Sequence, residues 1–249
     1  MKALVTGASS GIGKDIALYL DKLGYEVILV ARNKDKLDEV SSMMKNKNKI
    51  ILCDLSVEEN CYKLYEDTKD EDIDLLVNNA GFGVFGNFVD TPLEDEVNMV
   101  RVNDIAPHIL TKLFLKDFVK RDSGRILNVC SSAAFYSGPL MATYYASKGY
   151  IYKLTQAIYE ELRKMKSNVH ITSLCPGPVS TNFQTVANVK FNTKPLTSEY
   201  VAKKAVDGIL RNKRHIVLGF NMRVSRFLSR FIPDKMMLKI AYKAQSMKK

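Results

Sequence analysis

Thr6-Gly7-Ala8-Ser9-Ser10-Gly11-Ile12-Gly13 follows the apolar run Ala3 to Val5 and leads directly into KDIALYLDKLG. The run reads as a buried strand, the segment Ile12 to Leu23 as an amphipathic helix, and the glycine-rich residues between them as the connecting turn. Glycines let a backbone turn tightly and come close to a diphosphate, whose charge then faces the free N–H groups at the start of a helix. A glycine cluster alone is equally an ordinary tight turn. Its place between a first strand and a first helix gives it chemical meaning.

Working outward, the same alternation continues along the chain. Further strands are expected at Glu26 to Ala31, Ile50 to Asp54, Ile73 to Asn78, Gly124 to Cys130, Val169 to Cys175 and Ile216 to Leu218. Helices are expected at Lys34 to Lys45, Val57 to Lys69, Leu93 to Lys120, Tyr144 to Lys166 and Ser198 to Arg211. Strand, helix, strand in strict succession predicts an α/β fold with a doubly wound parallel sheet of about seven strands and helices on both faces. The near-continuous apolar strands IILCD and DLLVNNA agree with burial on both sides. Ligands of such sheets bind beyond the carboxyl ends of the strands, so chemistry is expected just after each strand.

Composition bounds this picture. The 249 residues are 46% apolar and 26% charged, which excludes a disordered chain, and no Pro/Gly/Ser-rich linker or repeat divides them. A single catalytic unit over 1–221 is expected, with a cofactor half to about 130, a catalytic and substrate part to 221, and a basic extension over 222–249. The net charge of +10 raises the question of nucleic acid. Its distribution argues against that reading: residues 222–249 carry eight basic residues and one acid, leaving only +3 for the rest. Cys53, Cys61, Cys130 and Cys175 show no metal-ligand spacing and read as reduced core thiols, so no metal site is expected. Neither a secretory signal nor an apolar run of spanning length is visible, and the expectation is a cytoplasmic protein.

Further motifs follow the glycine turn in order: CDLS at Cys53 to Ser56, NNAG at Asn78 to Gly81, Asn103 in VRVND, Ser131, YYASK containing Tyr144 and Lys148, and PGPVST at Pro176 to Thr181. The turn itself is spaced GxxxGxG, not the GxGxxG of the general dinucleotide fingerprint. Jointly these motifs resemble the short-chain dehydrogenase/reductase family over roughly Lys2 to Thr181. The resemblance implies a Rossmann-type fold and an oxidoreductase that moves a hydride between a nicotinamide cofactor and a carbonyl or secondary alcohol. It implies Ser131 as a donor to the substrate oxygen, Tyr144 as proton donor or acceptor, Lys148 as its electrostatic partner and ribose ligand, and Asn103 as holder of a relay water. It also implies cofactor contacts from Gly7, Ser9, Ser10, Gly11, Ile12, Gly13, Asp54, Leu55, Asn78, Ala80, Gly81, Pro176, Gly177, Val179 and Thr181.

Tyr144 and Lys148 are four residues apart, one turn on the same helix face, and a nearby ammonium is expected to lower the phenol's pKa. Ser132 and Tyr145 are neighbours of the same chemical types; the four-residue step to Lys148 and the usual separation in the family select Tyr144 and Ser131. At the end of the second strand Ala31 stands where an acid would read an NAD ribose, and Arg32 follows it. A guanidinium suits a 2′-phosphate, so NADP(H) is expected. Phe82, Phe85, Phe135, Met141 and Phe183 are candidates for an apolar substrate wall, with 182–197 as a lid. The alternative to an enzyme is an idle NADP(H)-binding sensor or scaffold, but no member of the Asn103, Ser131, Tyr144, Lys148 set is missing.

Two features lie outside catalysis. Ile151, Leu154, Ile158, Leu162 and Met165 form an apolar stripe that either packs within the subunit or, as in the family, pairs helices in a homodimer or homotetramer. In the tail, Val224, Phe227, Leu228 and Phe231 recur at helical spacing beside Arg223, Arg226 and Arg230. Pro233 then breaks the pattern, and Lys235, Lys239 and Lys243 follow every fourth residue, with Met237, Ile240, Ala241 and Ala244 on another face. This segment suits three roles: peripheral contact with an anionic membrane, a cover over a hydrophobic substrate mouth, or packing on the body or a second subunit.

Overall fold

Each short apolar run is followed by a helix long enough to carry the chain back along the sheet, so successive strands align in parallel. The computed structural model describes residues 1–187, 189, 194–229 and 231–247. Arg230, Lys248 and Lys249 of the tail, and 188 and 190–193 of the expected lid, lie outside the described residues. Among the described residues one sheet has seven strands: β1 (Lys2–Thr6), β2 (Glu26–Ala31), β3 (Asn48–Leu52), β4 (Leu75–Asn78), β5 (Arg125–Val129), β6 (His170–Cys175) and, last in the sheet, His215–Val217. Two short strands before it, β7 (Val179–Ser180) and β8 (Leu196–Thr197), form a separate parallel pair, making the last sheet strand β9. The order β3-β2-β1-β4-β5-β6-β9, parallel throughout, is the doubly wound arrangement expected.

Alternation along the strands distributes the core. Ala3 and Val5 of β1 face one layer with Ile16, Ala17 and Leu20 of α1 (Gly11–Lys22). That layer also holds Val201, Ala205 and Ile209 of α8 (Ser198–Leu210). Leu4 faces the opposite layer, with Leu64 of α3 (Glu58–Glu66) and Phe114 and Phe118 of α5 (Ala106–Lys120). Leu162 of α6 (Ala142–Met165) joins it. The remaining helices are α2 (Lys34–Ser42), α4 (Leu93–Val100), α7 (Phe183–Val186), α9 (Phe220–Leu228) and α10 (Asp234–Ser246).

Three expectations change. The third strand begins and ends two residues earlier than read, because Ala31 is paired with Leu52 and the chain leaves the sheet before Asp54. The long helix Leu93 to Lys120 is interrupted by a π-helical turn over Arg101–Ile105, with Asn103 at its centre. Such an i→i+5 turn takes one residue more than an α-helical turn and carries no marker residue that composition would show. The apolar stripe of α6 is largely used inside the subunit: Ile151 and Leu154 pack with Cys130 and Cys175, and Ile158 and Leu162 lie in the opposite core layer. Met165 is left 60% exposed. The stripe therefore gives no argument for a second subunit.

The order of strands changes direction between β1 and β4, so the connections leaving their carboxyl ends run to opposite sides of the sheet and open a crevice. Thr6 closes its floor: its hydroxyl donates to Val77 O (3.2 Å) and accepts from the N–H groups of Asn79 (2.9 Å) and Ala80 (3.1 Å). The Asn79 amide donates to Thr6 O (2.9 Å) and Gly7 O (3.2 Å). Gly13 presses onto this knot, where a Cβ would lie 2.3 Å from both Gly7 O and Asn79 Nδ2. Gly149, in the middle of α6, meets nothing closer than 3.9 Å. Gly13→Ala is expected to cost roughly 2 kcal/mol or more through overpacking against backbone. Gly149→Ala is expected to be neutral or stabilising by up to about 1 kcal/mol. Urea unfolding midpoints of the two variants check the contrast.

Candidate active site

At the crevice the turn enters α1 with Gly7 at φ +64° and Gly11 at φ +55°, left-handed values that suit glycine. Ser10 occupies the N-cap in extended conformation but its side chain makes no capping bond, so the first N–H groups of α1 are left without an intrahelical or side-chain partner. A Cβ on Gly11 would crowd the Thr181 methyl at 3.1 Å. The turn and the segment Pro176 to Thr181 thus face each other across the crevice.

A cleft of about 580 Å3 runs along these strand ends. It is lined by Gly7, Ser9, Ser10, Gly11 and Ile12, then by Arg32, Asp54, Leu55, Ala80 and Gly81. At its far end it meets Ser131, Tyr144, Lys148, Pro176, Gly177, Val179 and Thr181. Three of the motif residues do not line it. Gly13 lies beneath the turn, as described. Asn78 is buried between strands, donating to Thr111 (3.0 Å) and Asn128 (2.9 Å), which is a role in holding the sheet. Asn103 accepts from the N–H of Phe82 (3.1 Å) and donates to Phe82 O (2.9 Å) and Ser147 Oγ (3.0 Å). A Cβ on Gly81 would sit 2.8 Å from Asn103 Oδ1 and 3.1 Å from Lys148 Nζ, so the π turn brings Asn103 to the back of the site.

Within the cleft, Ser131 begins a short turn over Ser132–Phe135 and its oxygen accepts from Ala133 N–H (3.1 Å). Its hydroxyl faces the Tyr144 phenol and favours the ionised form. Tyr144 and Lys148 share one face of α6, both buried, with Lys148 Nζ donating to Val129 O (3.3 Å) and lying 5.9 Å from the Tyr144 ring centre. The expected lowering of the phenol by the ammonium is reversed. Burial pushes Tyr144 above its ordinary value, and the Ser131 hydroxyl opposes this only in part. Burial likewise lowers Lys148, against the pull of Cys130, Asp104 and Cys175. Two groups removed from water each favour their neutral forms.

All four neighbouring residues Ser131, Ser132, Tyr144 and Tyr145 line the cleft. Tyr145 turns to a different partner, the amide of Gln245 on α10, which donates to its hydroxyl. Of the expected substrate wall, Phe82, Met141 and Phe183 line the cleft, with Phe183 5.2 Å from the Tyr144 ring. Phe85 packs behind them among the same apolar residues. Phe135 does not belong there: it packs on Tyr152 in an edge-to-face pair, drawn away by the turn after Ser131.

Residues not read from the sequence complete the site. Asn33 and Lys36 line the cleft beside Arg32. Arg32 is largely exposed, with Nη1 4.0 Å from Asp54 Oδ2. Burial raises the Asp54 carboxyl, but hydrogen bonds from Ser56 and the charge of Arg32 outweigh it and hold it below its ordinary value. Asn79 stands inside the NNAG motif without a role of its own being read for it, and Gln245 has no motif to mark it; the signals of both are three-dimensional.

A sequence model of the short chain dehydrogenase family matches residues 1–192. The chain belongs to that family. As a short-chain dehydrogenase it is an oxidoreductase, and its relatives agree. It is 32% identical over 232 residues to the very-long-chain 3-oxoacyl-CoA reductase of Macaca fascicularis, covering 88% of this chain and 73% of that one. With the human protein of the same name the identity is 35% over 187 residues, 72% of this dehydrogenase and 59% of the relative, so the chain spans under two-thirds of the human protein's length. Among solved structures, a short-chain dehydrogenase from Sphingobium yanoikuyae in complex with NADPH superposes with a TM-score of 0.83 at 24% identity, covering 92% of this chain and 93% of that one. One from Burkholderia phymatum in complex with NAD gives 0.82 at 22%, covering 91% and 92%. At these identities the likeness is one of fold.

Behind the cleft a buried acid, Asp104, lies in the π turn. Burial pushes its carboxyl up to about 7, opposed by the charge of Lys148, and its Oδ1 has no hydrogen-bond partner. The unfolded carboxyl titrates near 3.9. With the folded value raised, the native state loses stability as pH climbs from about 4 to about 7, and the cost is complete above that. Asp104→Asn is therefore expected to raise the thermal midpoint at pH 8 and to do little at pH 4, a difference worth roughly 2 to 4 kcal/mol. Melting curves at the two pH values check the sign.

Proposed function

We propose that this dehydrogenase is an NADP(H)-dependent carbonyl reductase or alcohol dehydrogenase acting on a small, largely apolar substrate. The observation that carries the reading is that Ser131, Tyr144 and Lys148 line the same cleft as the uncapped start of α1. The residues present fit a dinucleotide. The glycines let the turn close against Asn79, Ala80 and Thr181, where any Cβ would clash, and the free N–H groups of α1 are natural donors to a pyrophosphate. When bound, the nicotinamide supplies the hydride to the carbonyl carbon or accepts it from the alcohol.

The chain's own residues do the rest. Ser131 holds the substrate oxygen by a hydrogen bond while Tyr144 delivers its phenolic proton to that oxygen. A phenol raised by burial remains protonated at neutral pH, which suits donation in the reductive direction. Lys148 orients Tyr144 and offers donors to a ribose; Asn103 fixes the backbone at Phe82 behind it. Phe82, Met141 and Phe183 exclude water and favour an apolar carbonyl substituent. Arg32, with Lys36 beside it, would receive the 2′-phosphate; the names of the relatives bound to NADPH and NAD leave both cofactors represented in the family. The long-chain acyl relatives support an apolar substrate without defining its length.

Tyr144→Phe is expected to keep cofactor binding and lower turnover by about two to four orders of magnitude, since the ring stays and the proton is lost. In the parent enzyme the reduction rate should be level through neutral pH and fall only under alkaline conditions. Stopped-flow absorbance of NADPH against a carbonyl panel measures both, and near-normal turnover by the Phe variant would reject the role. Arg32→Gln should weaken NADPH binding by about tenfold and NADH binding little, because only one of them loses a charge-assisted phosphate contact. Fluorescence titration with each cofactor reads the difference.

A further inference from the structure

An amphipathic helix on a water-soluble body normally turns its apolar face inward. α9 does the reverse. Phe220, Val224, Phe227 and Leu228 recur at three- and four-residue steps and all face solvent, with Phe220 78% and Phe227 59% exposed. Phe231, just beyond the helix, is 71% exposed and stacks edge-to-face on Phe227. The helix is attached to the body through its polar side instead. Arg226 donates to the Tyr152 hydroxyl (2.7 Å) and lies over the rings of Phe135 (4.7 Å) and Tyr152 (5.7 Å). The Ser225 hydroxyl pairs with that of Tyr136 at 2.7 Å, and Met222 packs against Gly177. These contacts fix the orientation, so the apolar face is held outward by specific bonds.

α10 continues the same pattern past Pro233. It is anchored by Gln245 on Tyr145, and its outer side carries Lys235, Lys239 and Lys243 together with exposed Met236 and Ile240. None of these lysines makes an ion pair among the described residues. We propose that α9 and α10 form a docking surface for an anionic lipid bilayer, with the aromatic side chains inserted at the interface and the lysines on the headgroups. Charge selects this occupant. A second copy joined through the same patch by a twofold axis would set this cationic surface against itself, whereas an anionic headgroup layer complements it. Aromatic rings and long basic side chains are also the residues that suit a lipid–water boundary. Because Tyr145 lines the cleft, docking through α10 would set the substrate mouth beside the bilayer.

The test is co-sedimentation of the full chain with vesicles of phosphatidylcholine alone and of phosphatidylcholine mixed with phosphatidylglycerol. Binding is expected only to the mixed vesicles and should fall as salt rises. Two variants, Phe220→Ser with Phe227→Ser, and Lys235→Glu with Lys239→Glu and Lys243→Glu, should each weaken it by about tenfold or more while the thermal midpoint stays near that of the parent. Sedimentation velocity accompanies each variant. Absence of binding to mixed vesicles at low salt, equal binding to neutral vesicles, or undiminished binding by both variants overturns the proposal. So does loss of self-association in the Phe variant with vesicle binding unchanged, which would assign the face to a second subunit.

Discussion

Almost everything at the site depends on how closely the first turn of α1 can approach the ends of β1 and β4. A helix start has something to offer an anion only if its N–H groups are free and reachable, and both conditions come from the same few atoms. Thr6 and Asn79 lock the two strand ends together, and Gly13 lets the helix settle onto that lock. The lack of a capping side chain at Ser10, a small loss for the helix, leaves its donors available. Stability and binding are therefore set against each other at one turn, and glycine allows both.

At the other end of the cleft desolvation is the dominant effect. Tyr144 and Lys148 occupy the same buried face of α6, where neither the phenolate nor the ammonium is well solvated. Such groups respond strongly to any charge brought beside them, because the interior dielectric screens little. An arriving ligand's charge thus has more influence on their protonation than the pair has on itself.

The sheet and the core of the site were legible in the sequence, because strands end where motifs begin: TGASSGIG after β1, NNAG after β4 and Ser131 after β5 all fall at one edge. What escaped was geometry without a compositional mark. The π turn at Arg101–Ile105 inserts a residue into the helical pattern with no marker residue in the sequence, and it holds Asn103 at the back of the site. Asn78 belongs to a recognised motif yet bonds within the sheet, and Asn79, one residue on, carries the turn. Phe135 was plausible as substrate wall by type, and only its contact with Tyr152 removes it. The tail was read as helical with its break at Pro233, but which side faced outward depended on Arg226 finding two aromatic rings seventy and more residues earlier.

The position of β1 also has a consequence for biosynthesis. This strand precedes the other strands of its sheet along the chain and sits in the middle of the finished sheet, paired with β2 on one side and with β4, Ala3 to Leu75, on the other. Its second edge therefore waits until the chain has grown by more than seventy residues, and closing that gap is the slow, non-local step in a parallel topology. During that interval ALV is an unsatisfied apolar edge on a nascent chain, the kind of segment that chaperones shield. The strand that anchors the mature site is the one most exposed while the protein is being born.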